Sequence, residues 1–126
     1  MRERENTEKL ILVVDDEPLM VTLVEKILVE EGYKVITAGD GVYAMSLVRE
    51  YNPDLILMDI RMPGPDGILT LQRLRDISQV PVIMVTGMGG EELVEQSIDS
   101  GADDFIRKPF KPKELVARVK AKLRRV

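Results

Sequence analysis

Acidic side chains follow two apolar segments of this sequence, in positions where carboxylates can do chemistry. The acids Asp15–Glu17 come directly after the run Leu10–Val14. Asp59 comes directly after the run Asp54–Met58. Converging carboxylates repel one another unless a cation neutralises them, and a hard divalent cation such as Mg²⁺ prefers oxygen ligands. The first group also suits a helix N-terminus with Pro18 in its first turn, but several acids at one point favour a cation site.

Asp59 is placed to act as a nucleophile, because an Asp carboxylate can attack phosphorus to give an aspartyl-phosphate. A cation held by Asp16 and by a backbone carbonyl after the third strand would neutralise the acceptor and the incoming phosphoryl group. Thr86 and Lys108 end or follow later apolar runs and offer a hydroxyl and an ammonium to phosphoryl oxygens. Each residue alone has an ordinary structural explanation, but their joint placement at successive strand ends predicts a phosphoryl-transfer site.

The elements that must position these residues alternate along the chain. Several apolar runs are nearly continuous, which is typical of strands buried on both faces. Alternating strands and helices predict a parallel sheet in a three-layer, doubly wound α/β domain, whose ligands bind beyond the carboxyl ends of the strands. We expect the first and third strands to be central. The predicted strands are Leu10–Val14, Lys34–Ala38, Asp54–Met58, Val82–Thr86 and Asp103–Arg107.

The segments between the strands carry apolar residues three and four positions apart, as amphipathic helices do. Gly and Pro signals end these segments, at Gly32, Asn52-Pro53, Pro81 and Gly101. The predicted apolar stripes contain Leu19, Leu23, Ile27 and Leu28; Ala44, Leu47 and Val48; Leu69, Leu71, Leu74 and Ile77; Leu93, Val94 and Ile98; and Leu115, Val116, Val119 and Leu123.

Composition excludes several classes of function. The chain has 126 residues, 44% of them hydrophobic, which suits one domain with its own core. Cys and His are both absent, so thiol nucleophiles, disulfides, zinc fingers and imidazole bases are excluded. The acidic first loop would repel phosphate, and no glycine-rich phosphate-binding motif follows the first strand, which argues against a nucleotide-binding domain.

Charge is distributed unevenly. The net charge is −4, but nine basic residues and only Glu114 among the acids lie from Arg107 onward. Apolar residues at helical spacing make this segment an exposed helix face, so we expect no direct nucleic-acid contact. The chain has no run of apolar residues long enough for a membrane span, and we expect a cytoplasmic protein. Residues 1–8 are predicted to be a disordered lead-in and residues 9–126 the folded domain.

Five motifs together resemble the receiver domain of two-component response regulators. The resemblance covers about residues 9–125. It implies a (βα)5 flavodoxin-like fold with a five-stranded parallel sheet in the order 2-1-3-4-5. The motifs are Asp15-Asp16-Glu17, Leu57-Met58-Asp59-Ile60-Arg61-Met62-Pro63-Gly64, Val85-Thr86-Gly87, Gly101-Ala102-Asp103-Asp104-Phe105 and Lys108-Pro109-Phe110.

The resemblance also implies a role for each site residue. Asp59 would accept a phosphoryl group from a sensor histidine kinase, which fits a chain without His. Mg²⁺ (or Mn²⁺) would be held by Asp15, Asp16, Asp59 and the backbone carbonyl of Arg61. The phosphoryl group would be bound by Thr86, Gly87 and Lys108, with Pro109 structural at the site. Thr86 and Phe105 would form the switch, although Tyr is more usual than Phe at the second position.

The last helix resembles that of receivers joined to a winged-helix DNA-binding domain. Such regulators form a homodimer through helix 4, strand 5 and helix 5, and the matching residues here are Asp103, Asp104, Glu114 and Arg118. The output is then a C-terminal DNA-binding domain or a separate effector, and the domain is not a turnover enzyme. Two alternatives remain: a receiver-like interaction module that is never phosphorylated, and a phosphatase with Asp59 as nucleophile. Arg61 stands where such a phosphatase would place its second acid.

Overall fold

The computed structural model describes residues 9–61, 66–87 and 91–124, with the side chains of Glu91 and Glu92 left out. Strands and helices alternate throughout these ranges, as the sequence predicts. The strands are β1 (Leu10–Val14), β2 (Lys34–Ala38), β3 (Leu55–Asp59), β4 (Val82–Thr86) and β5 (Asp104–Arg107). The helices are α1 (Pro18–Glu30), α2 (Gly41–Tyr51), α3 (Gly67–Arg75), α4 (Glu91–Asp99) and α5 (Pro112–Leu123).

The five strands form one parallel sheet in the order β2-β1-β3-β4-β5. This order confirms the flavodoxin-like fold and places β1 and β3 inside the sheet, as their apolar sequences predict. Every residue of β3 is buried, and so is every residue of β1 after Leu10. The strand order reverses between β1 and β3, so the carboxyl ends of these two strands border the crevice where such folds bind ligands.

Alternate residues of the central strands supply two separate apolar cores, because successive side chains of a strand point to opposite faces. Leu12 and Met58 contribute to the core beneath α2 and α3, and partly buried Leu93 of α4 packs against it. Val13 and Leu57 contribute to the core beneath α1 and α5. Helices therefore cover both faces of the sheet, in the predicted three layers.

Local sequence signals account for where the helices begin and end. The Asp40 and Asp66 side chains accept hydrogen bonds from the third residue beyond them and so cap α2 and α3. At the other ends, Asn52, Gly32 and Gly101 adopt positive φ angles of 51°, 97° and 109°, a conformation that favours Gly and Asn. The predicted stop signals at these three positions are therefore where the chain turns.

The structure departs from the sequence-based expectations in three places. Two residues of the predicted α1 stripe lie on the surface, since Leu19 is 86% exposed and Leu23 is 48% exposed. Leu69 and Ile98 are also exposed, because the buried faces of α3 and α4 are narrower than their apolar patterns, and Ile77 is exposed in the turn that follows α3. Strands β3 and β5 each begin one residue later than predicted, and β3 extends to include Asp59.

The predicted disordered lead-in, residues 1–8, lies outside the described residues, as do residues 125 and 126 of the predicted domain. None of the helices in the described ranges combines the length and apolar character needed to cross a bilayer.

Candidate functional site

Three acids meet at the carboxyl ends of β1 and β3. Oxygens of Asp15, Asp16 and Asp59, one from each residue, all lie within 4.8 Å of one another. Asp15 and Asp59 are buried at 4% and 7% exposure, whereas Asp16 is exposed. We call these three acids, together with Lys108, the acidic rim. The sequence-based expectation that strand-end acids converge is met by this geometry.

Backbone amides orient the two buried carboxylates. Asp15 Oδ1 accepts a hydrogen bond of 3.0 Å from the Glu17 N–H, at the turn into α1. Asp59 Oδ1 accepts one of 3.3 Å from the Arg61 N–H, at the turn after β3. Each carboxylate therefore has one oxygen bound to its own turn, and its second oxygen is left to face Lys108.

Lys108 brings the positive charge of the site across the sheet from the end of β5. Its Nζ lies 3.3 Å from Asp15 Oδ2, 3.5 Å from Asp59 Oδ2 and 3.6 Å from Glu17 Oε1. Its backbone N–H donates to the Thr86 carbonyl at 2.7 Å, and the peptide bond to Pro109 is cis. Burial alone would lower the pKa of Lys108, but attraction to Asp59, Asp15 and Glu17 prevails and raises it.

Asp59 has the clearest electrostatic signature of the site. Burial raises the pKa of its carboxyl from 3.8 to about 6, with repulsion from Asp15 acting in the same direction. Lys108 and the Arg61 N–H oppose this rise without cancelling it. Because one ammonium faces three carboxylates, the site holds an excess of negative charge that favours a bound cation.

This donor set fits a hard divalent cation. Carboxylate oxygens are the ligands that Mg²⁺ and Ca²⁺ prefer, and Mg²⁺ commonly uses one or two of them while retaining water. The exposed carboxylate of Asp16 leaves the cluster open to solvent, so an ion and its water ligands have access. The three acids could therefore hold a metal ion between the ends of β1 and β3.

Thr86 and Gly87 lie at the carboxyl end of β4, and Phe105 lies within β5, where its register partner on β4 is Met84. The Thr86 side chain is buried, and its Oγ1 donates to the Gly87 carbonyl at 3.3 Å. A Cβ at Gly87 would meet no atom of the described residues within 4 Å, so this part of the chain leaves open space at Gly87. The Phe105 ring is partly buried and packs against the core beneath α2 and α3. Exposed Pro109 follows Lys108 at the edge of the site.

The sequence motifs do not single out two contributors to the site. They place Glu17 with the strand-end acids but do not predict its individual contact with Lys108. They do not identify Gly67. A Cβ at Gly67 would overlap the Asp59 carbonyl oxygen, and the Gly67 N–H donates to the Ile60 carbonyl at 2.8 Å. The signal that could have identified it is the pair Asp66-Gly67, a capping acid followed by a glycine at the start of a helix.

The four residues assigned to a dimer face form contacts within one chain. Asp103 Oδ2 accepts hydrogen bonds from Arg75 Nη2 at 3.1 Å and from the Val82 N–H at 2.8 Å. Arg118 Nη1 donates to both oxygens of Asp104, at 3.0 and 3.1 Å. Arg118 Nε lies 3.5 Å from Glu114 Oε2. Asp103 is thus directed toward α3, while the other three residues lie together between β5 and α5.

Curated relatives of this chain include DNA-binding response regulators. The chain is 48% identical over 115 residues to the DNA-binding response regulator MtrA of Mycolicibacterium smegmatis, which covers 91% of this chain and 50% of MtrA. It therefore spans about half the length of such curated relatives.

Solved structures agree with this match. The receiver domain of NtrX from Brucella abortus superimposes with a TM-score of 0.88 at 36% identity, covering 92% of this chain and 99% of that one. A two-component response regulator from Clostridium difficile gives a TM-score of 0.90 at 26% identity, covering 94% and 98%. The family described as the response regulator receiver domain matches residues 11–120. The chain therefore belongs to the response regulator receiver domain family.

Proposed function

We propose that this domain is a signalling switch in which Asp59 accepts a phosphoryl group from a phosphohistidine of a sensor histidine kinase. The observation that carries the proposal is the cluster of Asp15, Asp16 and Asp59, with oxygens within 4.8 Å of one another and Lys108 Nζ 3.5 Å from Asp59 Oδ2. A nucleophile, a set of cation ligands and a positive charge are thus concentrated at one solvent-accessible point.

The reaction forms one bond and breaks one. A carboxylate oxygen of Asp59 attacks the phosphorus, the new O–P bond forms, and the N–P bond to the kinase imidazole breaks. The imidazole nitrogen leaves with the electron pair of that bond. Asp59 must be ionised to attack, which its pKa of about 6 allows at neutral pH. The ammonium of Lys108, which contacts Asp59, would then stabilise the phosphoryl oxygens.

Magnesium, when bound, supplies positive charge that offsets the repulsion between the carboxylates and the phosphoryl oxygens. Asp15, Asp16, Asp59 and the backbone carbonyl of Arg61 would hold it. Thr86 would turn its hydroxyl from the Gly87 carbonyl to a phosphoryl oxygen, and the open space at Gly87 would leave room for the phosphoryl group. Phe105 would then repack, and the surface of α4, β5 and α5 would change.

The output proposed for this change is control of a C-terminal DNA-binding domain or a separate effector. The proposal is supported by relatives described as DNA-binding response regulators, of which this chain spans about half. A homodimer through α4, β5 and α5 is part of the same proposal. Sedimentation with and without a phosphoryl analogue tests it, since a monomer in both states excludes that mode of activation.

A turnover enzyme is the weaker candidate. A phosphatase with an Asp nucleophile needs a second acid to protonate its leaving group, whereas Arg61 is exposed and basic at the corresponding position. We therefore propose that the domain assists only its own phosphorylation and dephosphorylation. Sustained phosphate release from many phosphomonoesters would contradict this part of the proposal.

Incubation with acetyl phosphate and Mg²⁺, followed by intact-mass measurement, tests the proposal. We expect a gain of one phosphoryl group in the wild type and none when EDTA replaces Mg²⁺. Asp59→Asn should gain nothing. Asp76→Asn, an exposed Asp at the end of α3, removes the same charge and should be phosphorylated as the wild type is. A wild type that gains no mass under any condition would leave only the unphosphorylated interaction module.

A further inference from the structure

Arg107 is the last residue of β5 and lies next to the residues proposed to form the switch. In the sheet register it is the partner of Thr86 on β4. Its guanidinium carbon lies 5.6 Å from the centroid of the Phe105 ring. The two side chains come from positions two apart on one strand, so they share a face of the sheet. This distance is within the range of a cation–π contact.

The environment of Phe105 makes this contact a restraint on the ring. Phe105 is partly buried and packs against the core beneath α2 and α3, while Arg107 is exposed. The ring therefore has an apolar contact with the core and a cationic contact at the protein surface. If the ring moves further into the protein while Arg107 stays at the surface, the contact with the guanidinium is lost.

Thr86 has a defined hydrogen bond in the structure in which Arg107 contacts Phe105. The Thr86 hydroxyl is bonded to the Gly87 carbonyl, in the loop that follows its own strand. The contact between Phe105 and Arg107 and the Thr86–Gly87 hydrogen bond thus belong to one state of the domain. A contact that is made in only one of two states shifts the equilibrium toward that state.

We propose that Arg107 is a positioning residue that holds Phe105 in the unphosphorylated arrangement and so opposes the switch. This inference rests on the proposed function, because it assumes that phosphorylation moves Phe105. By linkage, a residue that opposes the switch also weakens binding of any phosphoryl group or analogue that drives it. An exposed cation–π contact corresponds to a change of about two- to fivefold in such an equilibrium.

The test uses the fact that the chain has only two Phe residues. Protein labelled with 4-fluorophenylalanine gives two ¹⁹F resonances, from Phe105 and Phe110, and Phe110 packs against the opposite core and serves as the internal reference. Beryllofluoride with Mg²⁺ is titrated as the phosphoryl analogue, and the displacement of the Phe105 resonance is followed. The variants are Arg107→Gln, Arg107→Lys and, as the charge-matched control, Lys111→Gln.

We expect Arg107→Gln to lower the half-saturating beryllofluoride concentration about two- to fivefold relative to the wild type. Its Phe105 resonance should also lie closer to the saturated position before any analogue is added. Arg107→Lys should fall between the two, because an ammonium keeps the charge without the planar stacking surface. Lys111 is exposed at the start of α5, so its substitution reports the effect of losing one positive charge near the site.

Two different results would overturn the inference. If Arg107→Gln binds the analogue no more tightly than Lys111→Gln does, Arg107 acts only through its charge, and its positioning role is wrong while the proposed function stands. If the wild-type Phe105 resonance does not respond to beryllofluoride and acetyl phosphate adds no mass, the proposed function is wrong and the inference fails with it.

Discussion

Two clusters of charged groups lie at opposite ends of the same sheet and differ in how fully their charges are satisfied. At the amino ends of β4 and β5, Arg75 Nε and Nη2 donate to the Gly101 carbonyl at 3.0 and 2.9 Å, and Nη1 donates to the Ser78 carbonyl at 3.2 Å. Asp103 completes this Arg75 cluster with a 3.1 Å contact to Nη2. At the carboxyl ends, the acidic rim has Lys108 Nζ 3.3 Å from Asp15 Oδ2 and 3.5 Å from Asp59 Oδ2, with oxygens of Asp15, Asp16 and Asp59 within 4.8 Å of one another.

The difference shows which cluster is structural and which is available for chemistry. In the Arg75 cluster the charges balance, and the guanidinium joins α3, the loop before β4 and the turn before β5. In the acidic rim the negative charge exceeds the positive, and the pKa of Asp59 rises to about 6 as a result of burial and of repulsion from Asp15. An arrangement that costs stability without a ligand is expected where a ligand binds.

The largest effect is expected from breaking the balanced cluster. Arg75→Met leaves the Asp103 carboxylate, with its side chain only 20% exposed, without its guanidinium partner. Removing one partner of a buried ion pair typically costs several kcal/mol, and the partial burial of this pair reduces that cost, so we expect a loss of about 2 kcal/mol in the free energy of unfolding, measured by urea denaturation. Arg73→Met, on the exposed side of the same helix, should change it by less than about 0.5 kcal/mol. Equal effects of the two substitutions would remove the distinction between the clusters.

Adding a cation should change the stability of the acidic rim selectively. A ligand that binds only the folded state at ten times its dissociation constant stabilises it by about 1.4 kcal/mol. We expect Mg²⁺ to raise the unfolding free energy of the wild type by about this amount and that of Asp16→Asn far less. Asp16 is exposed, so its substitution should leave the apo stability nearly unchanged. Asp76→Asn should respond to Mg²⁺ as the wild type does, and an equal response of Asp16→Asn would argue against Asp16 as a ligand.

A change of pH in the presence of EDTA should have a smaller effect on the free energy of unfolding. The pKa of Asp59 in the folded protein, about 6, lies above its ordinary value of 3.8. The bound proton therefore stabilises the fold below about pH 4, and this contribution is lost as pH rises through about 6. A shift of this size corresponds to at most about 3 kcal/mol, and contact with water at the rim reduces it to about 1 kcal/mol.

Asp59→Asn should remove this pH dependence. Its unfolding free energy should match that of the wild type near pH 4 and exceed it by about 1 kcal/mol at pH 7, in urea titrations at both pH values. A variant that is less stable than the wild type at pH 7 would show that the Asp59 carboxylate stabilises the apo protein, contrary to the contrast between the two clusters.

The acidic rim could be predicted from sequence and the Arg75 cluster could not. Apolar runs reveal strands, parallel strands end at one edge, and Asp15, Asp59 and Lys108 directly follow or end such runs. Arg75 and Asp103 are 28 residues apart, and neither lies in a pattern that pairs them. The motif that contains Asp103 predicts a dimer face and says nothing about the direction of the Asp103 side chain within one chain.

The exposed apolar residues show a second limit. Leu19 and Leu23 have the spacing of a core stripe, yet the core beneath α1 is filled by Val24 and Leu28. Hydrophobic periodicity identifies a helix but does not fix how far around its axis the buried face extends. The position of Gly67 against the Asp59 backbone similarly depends on how α3 packs, which no local pattern encodes.

The most direct test of the central claim locates the phosphoryl group on the chain. Wild-type protein is treated with acetyl phosphate and Mg²⁺, the acyl phosphate is reduced with borohydride to the alcohol, and the peptides are sequenced by mass spectrometry. We predict homoserine at position 59 alone, and none when EDTA replaces Mg²⁺. Homoserine at position 15 or 16, or unmodified Asp at all three positions, would contradict the assignment of Asp59 as the phosphoacceptor.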